Sequence, residues 1–196
     1  CAIYESLIPP LVRKLGTNHS RSARVLYNLA VCRWHVESDP AAALDPLGKA
    51  VEARRLTLGP GHHRTLEAVR LTGYVLKDLK RWGEAERVLT EAIAEQRRQG
   101  LSGPRWGRTE ALWIDVMIAS GKTEAAVEAL GAWIDREPFF APLMGPLVCA
   151  LAAPMKAAGH EDLARDWLRR LVDALDHEPV PPERLGCDPR ALSAEL

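Results

Sequence analysis

Two stretches of this chain, residues 15–22 (LGTNHSRS) and residues 58–65 (LGPGHHRT), share one pattern at an offset of 43 positions. Each begins with Leu-Gly, carries His at its fifth position and Arg at its seventh, and ends with Ser or Thr. Self-similarity at a fixed period is the signature of a protein built from stacked structural units. The residues that follow each copy therefore show which structural unit is repeated.

An apolar pattern with helical spacing follows the second copy. Val69, Gly73 and Leu76 lie on one helix face, a polar turn comes at 80–83, and Ala85, Leu89 and Ala92 lie on one face of a second helix. Two helices of about a dozen residues joined by a short turn make an αα-hairpin.

The same hairpin pattern occurs four times. The alanines of the predicted second helices fall at positions 43, 85, 126 and 164, with predicted turns at 38–40, 80–83, Gly121 and Gly159. Small residues let helix axes approach closely, and a single hairpin cannot bury its apolar face alone. The four copies are therefore predicted to stack on one another.

This pattern resembles the tetratricopeptide repeat (TPR), and residues 58–66 resemble its kinesin light chain variety, in which Leu-Gly-Pro joins hairpins and Thr begins the next helix. The resemblance implies an all-α fold, a right-handed superhelix of stacked antiparallel helical hairpins. Residues 1–14 would form the second helix of a preceding partial repeat, shortened by Pro9 and Pro10. Residues 15–177 would form four TPR-like hairpins, and residues 178–196 a Pro-rich, extended C-terminal tail.

Local chemistry adds three expectations to this fold. Ser22 and Thr65 are predicted N-caps of first helices, because their hydroxyls can accept from free backbone N–H groups. Pro154 is predicted to kink or break the first helix of the last hairpin. Glu110 departs from the repeat pattern, which prefers a large apolar residue at its position.

Charge and cysteine content exclude several classes of protein. Acidic and basic residues balance at 26 each, so neither nucleic acid nor an anionic membrane is predicted as a partner. No apolar stretch is long enough to be a membrane span. Cys1, Cys32, Cys149 and Cys187 are too far apart in sequence to indicate a metal knuckle or a redox pair, and four cysteines are too few to indicate a disulfide framework. Cys32 and Cys149 are predicted to be buried, inert thiols. A reducing, cytoplasmic location is the simplest interpretation.

No catalytic, metal-binding or cofactor-binding residue is predicted, and the chain is not expected to be an enzyme. His19 and His62 occupy equivalent linker positions, where a structural hydrogen bond explains them better than a metal does. Gly121-Lys122-Thr123 lacks the upstream glycine of a phosphate-binding loop. The acidic pair Glu161-Asp162 fits the start of a helix.

A stacked TPR array has a concave face lined by its first helices, and the resemblance maps seven residues to that groove: Arg24, Tyr27, Trp34, Arg70, Tyr74, Lys77 and Arg108. Guanidinium donors beside flat aromatic rings can hold a protein or peptide segment, an acidic one above all. The competing interpretation is a solvated basic face with aromatic side chains filling gaps between repeats.

Two functions follow from these observations. The first is a protein- or peptide-binding scaffold, as a part of a larger protein or by itself. The alternative is a regulatory or sensor segment of a larger bacterial multidomain enzyme, such as a kinase or a protease. The start at Cys1 fits a fragment of a longer protein or a mature lipoprotein, and the repeat register favours the fragment. The sequence leaves the partner, the biological process and the oligomeric state open.

Overall fold

The computed structural model describes residues 1–137, 141–177 and 179–195, and within these ranges it consists of helices and connecting segments without a β-strand. The all-α prediction is thus confirmed. The helices are α1 (Ala2–Leu15), α2 (Ser20–His35), α3 (Pro40–Leu58), α4 (His63–Asp78), α5 (Trp82–Arg98), α6 (Pro104–Ala119), α7 (Thr123–Arg136), α8 (Ala141–Ala157), α9 (Glu161–His177), α10 (Pro182–Leu185) and α11 (Pro189–Glu195).

Helices that follow each other along the chain pack as pairs. Helix α2 contacts α3, α4 contacts α5, α6 contacts α7 and α8 contacts α9. The chain divides into two compact units, Cys1–Leu101 with α1 to α5 and Ser102–Leu196 with α6 to α11. Each unit buries its own apolar residues.

The predicted small residues of the second helices lie at buried positions. Ala43, Ala85 and Ala126 are 0% exposed and Ala164 is 1% exposed. A leucine four residues further on in each of these helices is also fully buried, at positions 47, 89, 130 and 168. Residues four apart share one helix face, so the alanine permits close approach while the leucine fills the space beside it.

Enlarging one of these alanines is expected to destabilise the fold. We expect Ala85→Leu to lower the free energy of unfolding by about 1–3 kcal/mol, because extra methyl groups at a fully buried position force the helices apart. Urea denaturation followed by circular dichroism measures the change. Ala94→Leu is the matched control, since Ala94 is exposed on the same helix. Equal midpoints for the two variants would contradict a close helix contact at Ala85.

Linker histidines, rather than the predicted hydroxyl residues, cap the first helices. His19 Nδ1 accepts from the Arg21 backbone N–H at 3.1 Å, and His62 Nδ1 accepts from that of Arg64 at 3.2 Å. The N-cap prediction for Ser22 and Thr65 is therefore wrong. Their hydroxyls donate backwards instead, at 2.8 Å, to the carbonyls of the linker residues Gly16 and Gly59. Ser22 and Thr65 are both buried, and their hydrogen bonds hold each linker against the helix that follows it.

The helices continue through their prolines. Helix α8 includes Pro146 and Pro154, so of the predicted kink or break at Pro154 the break does not occur. Helix α1 likewise includes Pro9 and Pro10. A proline removes the hydrogen bond to the carbonyl four residues earlier. For Pro154 that carbonyl belongs to Ala150, an exposed residue, so water can replace the lost donor.

The segment after α9 is partly helical, so the predicted extended conformation is wrong for α10 and α11. Both short helices begin at a proline, whose fixed φ suits the first helical position. Asp188 caps α11, its Oδ1 accepting from the Arg190 backbone N–H at 3.0 Å. Leu185 of α10 is 3% exposed and packs in the core of the second unit.

All four cysteines form disulfides, which corrects the prediction of free thiols. Cys1 pairs with Cys32 and Cys149 with Cys187, with Cα–Cα distances of 5.5 and 5.8 Å. Disulfides persist in oxidising surroundings, so the cysteines no longer support the expectation of a reducing cytoplasm. In the part of the chain that the structure describes, every helix is too short or too polar to cross a bilayer.

Candidate ligand-binding surface

Six of the seven predicted groove residues lie on two neighbouring helices of the first unit. Helix α2 carries Arg24, Tyr27 and Trp34, and helix α4 carries Arg70, Tyr74 and Lys77. The two helices meet directly at one end, where the rings of Trp34 and Tyr74 stack. At the other end, Arg54 of α3 bridges them by contacting the Tyr27 ring and the Arg64 carbonyl. Arg108 is an exposed residue of α6 in the second unit.

One end of this surface is aromatic. The rings of Trp34 and Tyr74 are stacked, with centroids 6.0 Å apart and planes at 23°. Trp34 Nε1 donates to Asp78 Oδ2 at 2.6 Å, which fixes the indole ring between the helices. Tyr74 keeps 37% of its surface exposed. We call Trp34 and Tyr74 the aromatic patch, because together they present a flat, partly exposed ring surface.

The other end is a cavity of about 280 Å³ at the start of α2 and α4. We call it the basic pocket. Its lining comprises four arginines, one glutamate, an aromatic ring and small polar or apolar side chains: Arg21, Arg24, Arg54, Arg64, Glu67, Tyr27, Ser20, Asn28 and Leu58. The formal charge of this lining is positive by three, in a chain whose total charge is zero.

Arg54 of α3 forms the fixed part of the basic pocket. Its guanidinium carbon lies 4.3 Å from the Tyr27 ring centroid, and its Nη1 donates to the Arg64 carbonyl at 2.5 Å. The same nitrogen lies 3.8 Å from Glu67 Oε2. Only 7% of the side chain is exposed. The attraction between a cation and an aromatic face is stronger when water is excluded, so these contacts hold the guanidinium in place.

Burial changes the acid–base properties of this pair. It lowers the pKa of Arg54, which the nearby Glu67 carboxylate opposes. It raises the pKa of Tyr27, and Glu67 raises it further, while Arg54 and Arg70 act in the opposite direction. Tyr27 therefore remains a neutral phenol at pH 7, and an arginine side chain stays charged there.

The other three arginines of the pocket are exposed to solvent. Within residues 1–137, 141–177 and 179–195, no carboxylate pairs with the side chains of Arg21, Arg24 or Arg64. Arg21 and Arg64 lie in the first turns of α2 and α4, where the helix dipoles add positive potential. The pocket thus combines one fixed cation with three that are available to a ligand.

Two residues of the pocket lining, Arg24 and Tyr27, are among the predicted groove residues, whereas its other arginines are not. Arg21 and Arg64 occupy the same position in the two repeated linker stretches, so the offset of 43 residues already indicated that they are equivalent. Arg54 had no such signal, because it lies in a second helix and its inward direction depends on packing.

The structure assigns the linker histidines to capping. Among the residues it describes, no three His, Cys, Asp or Glu side chains are grouped as a metal ion requires.

Glu110, the acidic residue that departs from the repeat pattern, is 8% exposed. Both of its carboxylate oxygens accept from Arg136 Nη2 at 2.8 Å. This pair explains how an acidic residue is accommodated in the core of the second unit.

Comparison with known proteins bears on the fold alone. No protein-family model and no curated protein matches the chain. A crystal structure of nearly identical TPR-like repeats of a putative kinesin light chain from Podosopora anserina superposes with a TM-score of 0.72 at 17% identity, covering 91% of this chain and 87% of that one. A second crystal structure of those repeats, carrying a point substitution, gives 0.72 at 18% identity over 89% and 84%. The chain therefore has the fold of the TPR-like repeats found in kinesin-light-chain-type proteins.

Proposed function

We propose that this chain is a protein-binding module, and that the face formed by α2 and α4 binds an extended, acidic segment of a partner protein. The observation that carries the proposal is the occurrence of the basic pocket and the aromatic patch on the same two neighbouring helices. Each of these features suits one kind of peptide side chain, a carboxylate or an apolar ring.

The spacing of the two features fits a short peptide. Arg24 and Trp34 are ten residues apart on one helix, which corresponds to about 15 Å at a rise of about 1.5 Å per residue. An extended peptide covers this distance in about five residues, at about 3.3 Å each. The bound segment would therefore place an acidic residue in the basic pocket and an apolar or aromatic residue against Tyr74.

Binding on this surface requires several weak contacts together. An exposed ion pair contributes about 0–1 kcal/mol, so the acidic residues would need to engage Arg24, Arg70 and Lys77 in combination. The affinity should fall as salt is added, because the screening length is about 8 Å at physiological ionic strength. Arg108 lies in the second unit and is not needed for this proposal.

A selection of random peptides tests the proposed surface. We expect peptides displayed on phage and selected on the protein to be enriched in Asp and Glu, with an aromatic or apolar residue about five positions away from the acidic one. We expect the double variant Arg70→Glu, Lys77→Glu to lose at least tenfold in affinity for these peptides in fluorescence polarisation, a loss of about 1.4 kcal/mol or more.

The matched control is Lys49→Glu with Arg87→Glu, which changes the net charge equally at exposed positions of α3 and α5. Circular dichroism establishes that both double variants remain folded. Selected peptides without acidic residues would refute the proposal. So would equal binding to the double variant and the parent protein, which would place the binding surface elsewhere.

A further inference from the structure

The basic pocket contains more positive charge than the proposed acidic segment explains. A single carboxylate would neutralise one of the three excess charges of its lining and fill a small part of its volume of about 280 Å³. We propose that the pocket recognises the phosphate group of a phosphorylated serine or threonine side chain within the bound segment. This inference rests on the proposed function, which supplies the segment that presents the side chain.

The number and kind of the cations favour phosphate. A phosphorylated side chain carries about 1.5 to 2 negative charges at pH 7 and three strong acceptor oxygens. The four cations of the pocket are all arginines, whose planar forks bind phosphate through paired hydrogen bonds. They come from three helices, with Arg21 and Arg24 on α2, Arg54 on α3 and Arg64 on α4, so they approach the cavity from different sides.

Arg54 lowers the entropic cost of binding an anion. An exposed arginine loses rotamer freedom when it closes on a ligand, whereas Arg54 is already held by the Tyr27 ring and the Arg64 carbonyl. Its hydrogen bond uses Nη1, and no hydrogen bond from its other guanidinium nitrogens reaches a described residue. Those nitrogens can therefore donate to a bound anion.

The backbone adds to the positive electrostatic potential of the basic pocket. Ser20 and Arg21 are in the first turn of α2, and Arg64 is in the first turn of α4, so two helix N-termini adjoin the pocket. The positive end of a helix dipole favours an anion, and phosphate groups are commonly bound there. The dipoles support the site that the arginines form.

A set of defined peptides tests this inference. Each consists of a variable residue, four alanines and a tryptophan, so that the variable residue can lie in the basic pocket while the tryptophan lies against the aromatic patch. The variable residue is phosphoserine, serine or glutamate, and each peptide is made in both chain directions. Fluorescence polarisation measures the affinities, and inorganic phosphate serves as competitor.

We expect the phosphoserine peptide to bind at least tenfold more tightly than the serine peptide, because its phosphate oxygens accept charge-assisted hydrogen bonds that a hydroxyl does not. It should also bind more tightly than the glutamate peptide, and inorganic phosphate should displace it. In the double variant Arg21→Gln, Arg64→Gln the advantage of phosphoserine over serine should disappear. Both side chains are exposed, so this variant should fold normally.

The control Arg55→Gln with Arg87→Gln removes two exposed cations from α3 and α5 and should keep the advantage of phosphoserine. Equal affinities of the phosphoserine and glutamate peptides, or an advantage that survives loss of Arg21 and Arg64, would overturn the inference. The proposed function would still stand if selected acidic peptides depend on Arg70 and Lys77. A different outcome would separate the two proposals: the phosphoserine peptide binds, is displaced by inorganic phosphate and requires Arg21 and Arg64, but the selection yields no binding peptide. That outcome would retain the anion pocket and reject the peptide surface.

Discussion

Replacement of Trp133 by alanine is expected to lower the free energy of unfolding by about 3–5 kcal/mol, the range for removing a large aromatic side chain from a core. Trp133 is 1% exposed and belongs to the apolar core of the second unit. Its Nε1 has no hydrogen-bond partner among the described residues, so the loss comes from packing. Urea denaturation followed by circular dichroism measures it. Leu163→Ala, at a position 40% exposed, should cost much less.

A second substitution tests whether Trp133 stabilises the fold through the close packing of its ring. A Cβ added at Gly107 would lie 2.6 Å from Trp133 Cζ2, so Gly107→Ala should destabilise the parent protein. Phenylalanine lacks that outer atom. In a Trp133→Phe background we therefore expect Gly107→Ala to be neutral or stabilising, since alanine favours a helix by about 1 kcal/mol over glycine. Additive effects of the two substitutions would contradict the contact between Gly107 and Trp133.

Removal of the disulfide between Cys149 and Cys187 is also expected to have a large effect on stability. We expect Cys149→Ala with Cys187→Ala to lower the free energy of unfolding by about 2–4 kcal/mol, because the bond closes a loop with a sequence separation of 38 residues and restricts the unfolded chain. The bond also holds the segment of α10 and α11 against α8, where Leu185 is buried. Proteolysis should therefore cut the C-terminal segment faster in this variant.

The remaining disulfide provides the control for that experiment. In the variant without Cys149 and Cys187, a reducing agent should lower the melting temperature further, because the bond between Cys1 and Cys32 still closes a separation of 31 residues. A variant without any of the four cysteines should be insensitive to reductant. If reductant leaves the melting temperature of the parent protein unchanged, the disulfides do not contribute as expected.

The sequence alone determined the paired helices α2 to α9 and the buried positions of their small residues. Gly121 and Gly159 lie in turns, as their local sequence predicts, and Asp39 caps α3, which begins at Pro40. The predicted turn at 80–83 is shorter than expected, because α5 already begins at Trp82. Ala85 and its equivalents were predictable because a side chain's face on a helix depends only on its position along the helix. The resemblance to the TPR placed Trp34 and Tyr74 in one binding groove, which stays a prediction; their rings stack with centroids 6.0 Å apart.

Only the tertiary structure decided the disulfides, the folded C-terminal segment and the inward position of Arg54. Cysteine pairing depends on a Cα–Cα distance across 31 or 38 residues, which no local spacing encodes. Leu185 becomes buried because α8 and α9 offer an apolar surface that exists only after they pack. Arg54 belongs to a second helix, and Tyr27 and the Arg64 carbonyl hold it only once three helices meet. In each case the deciding energy comes from contacts between residues that are distant in the sequence and are brought together by folding.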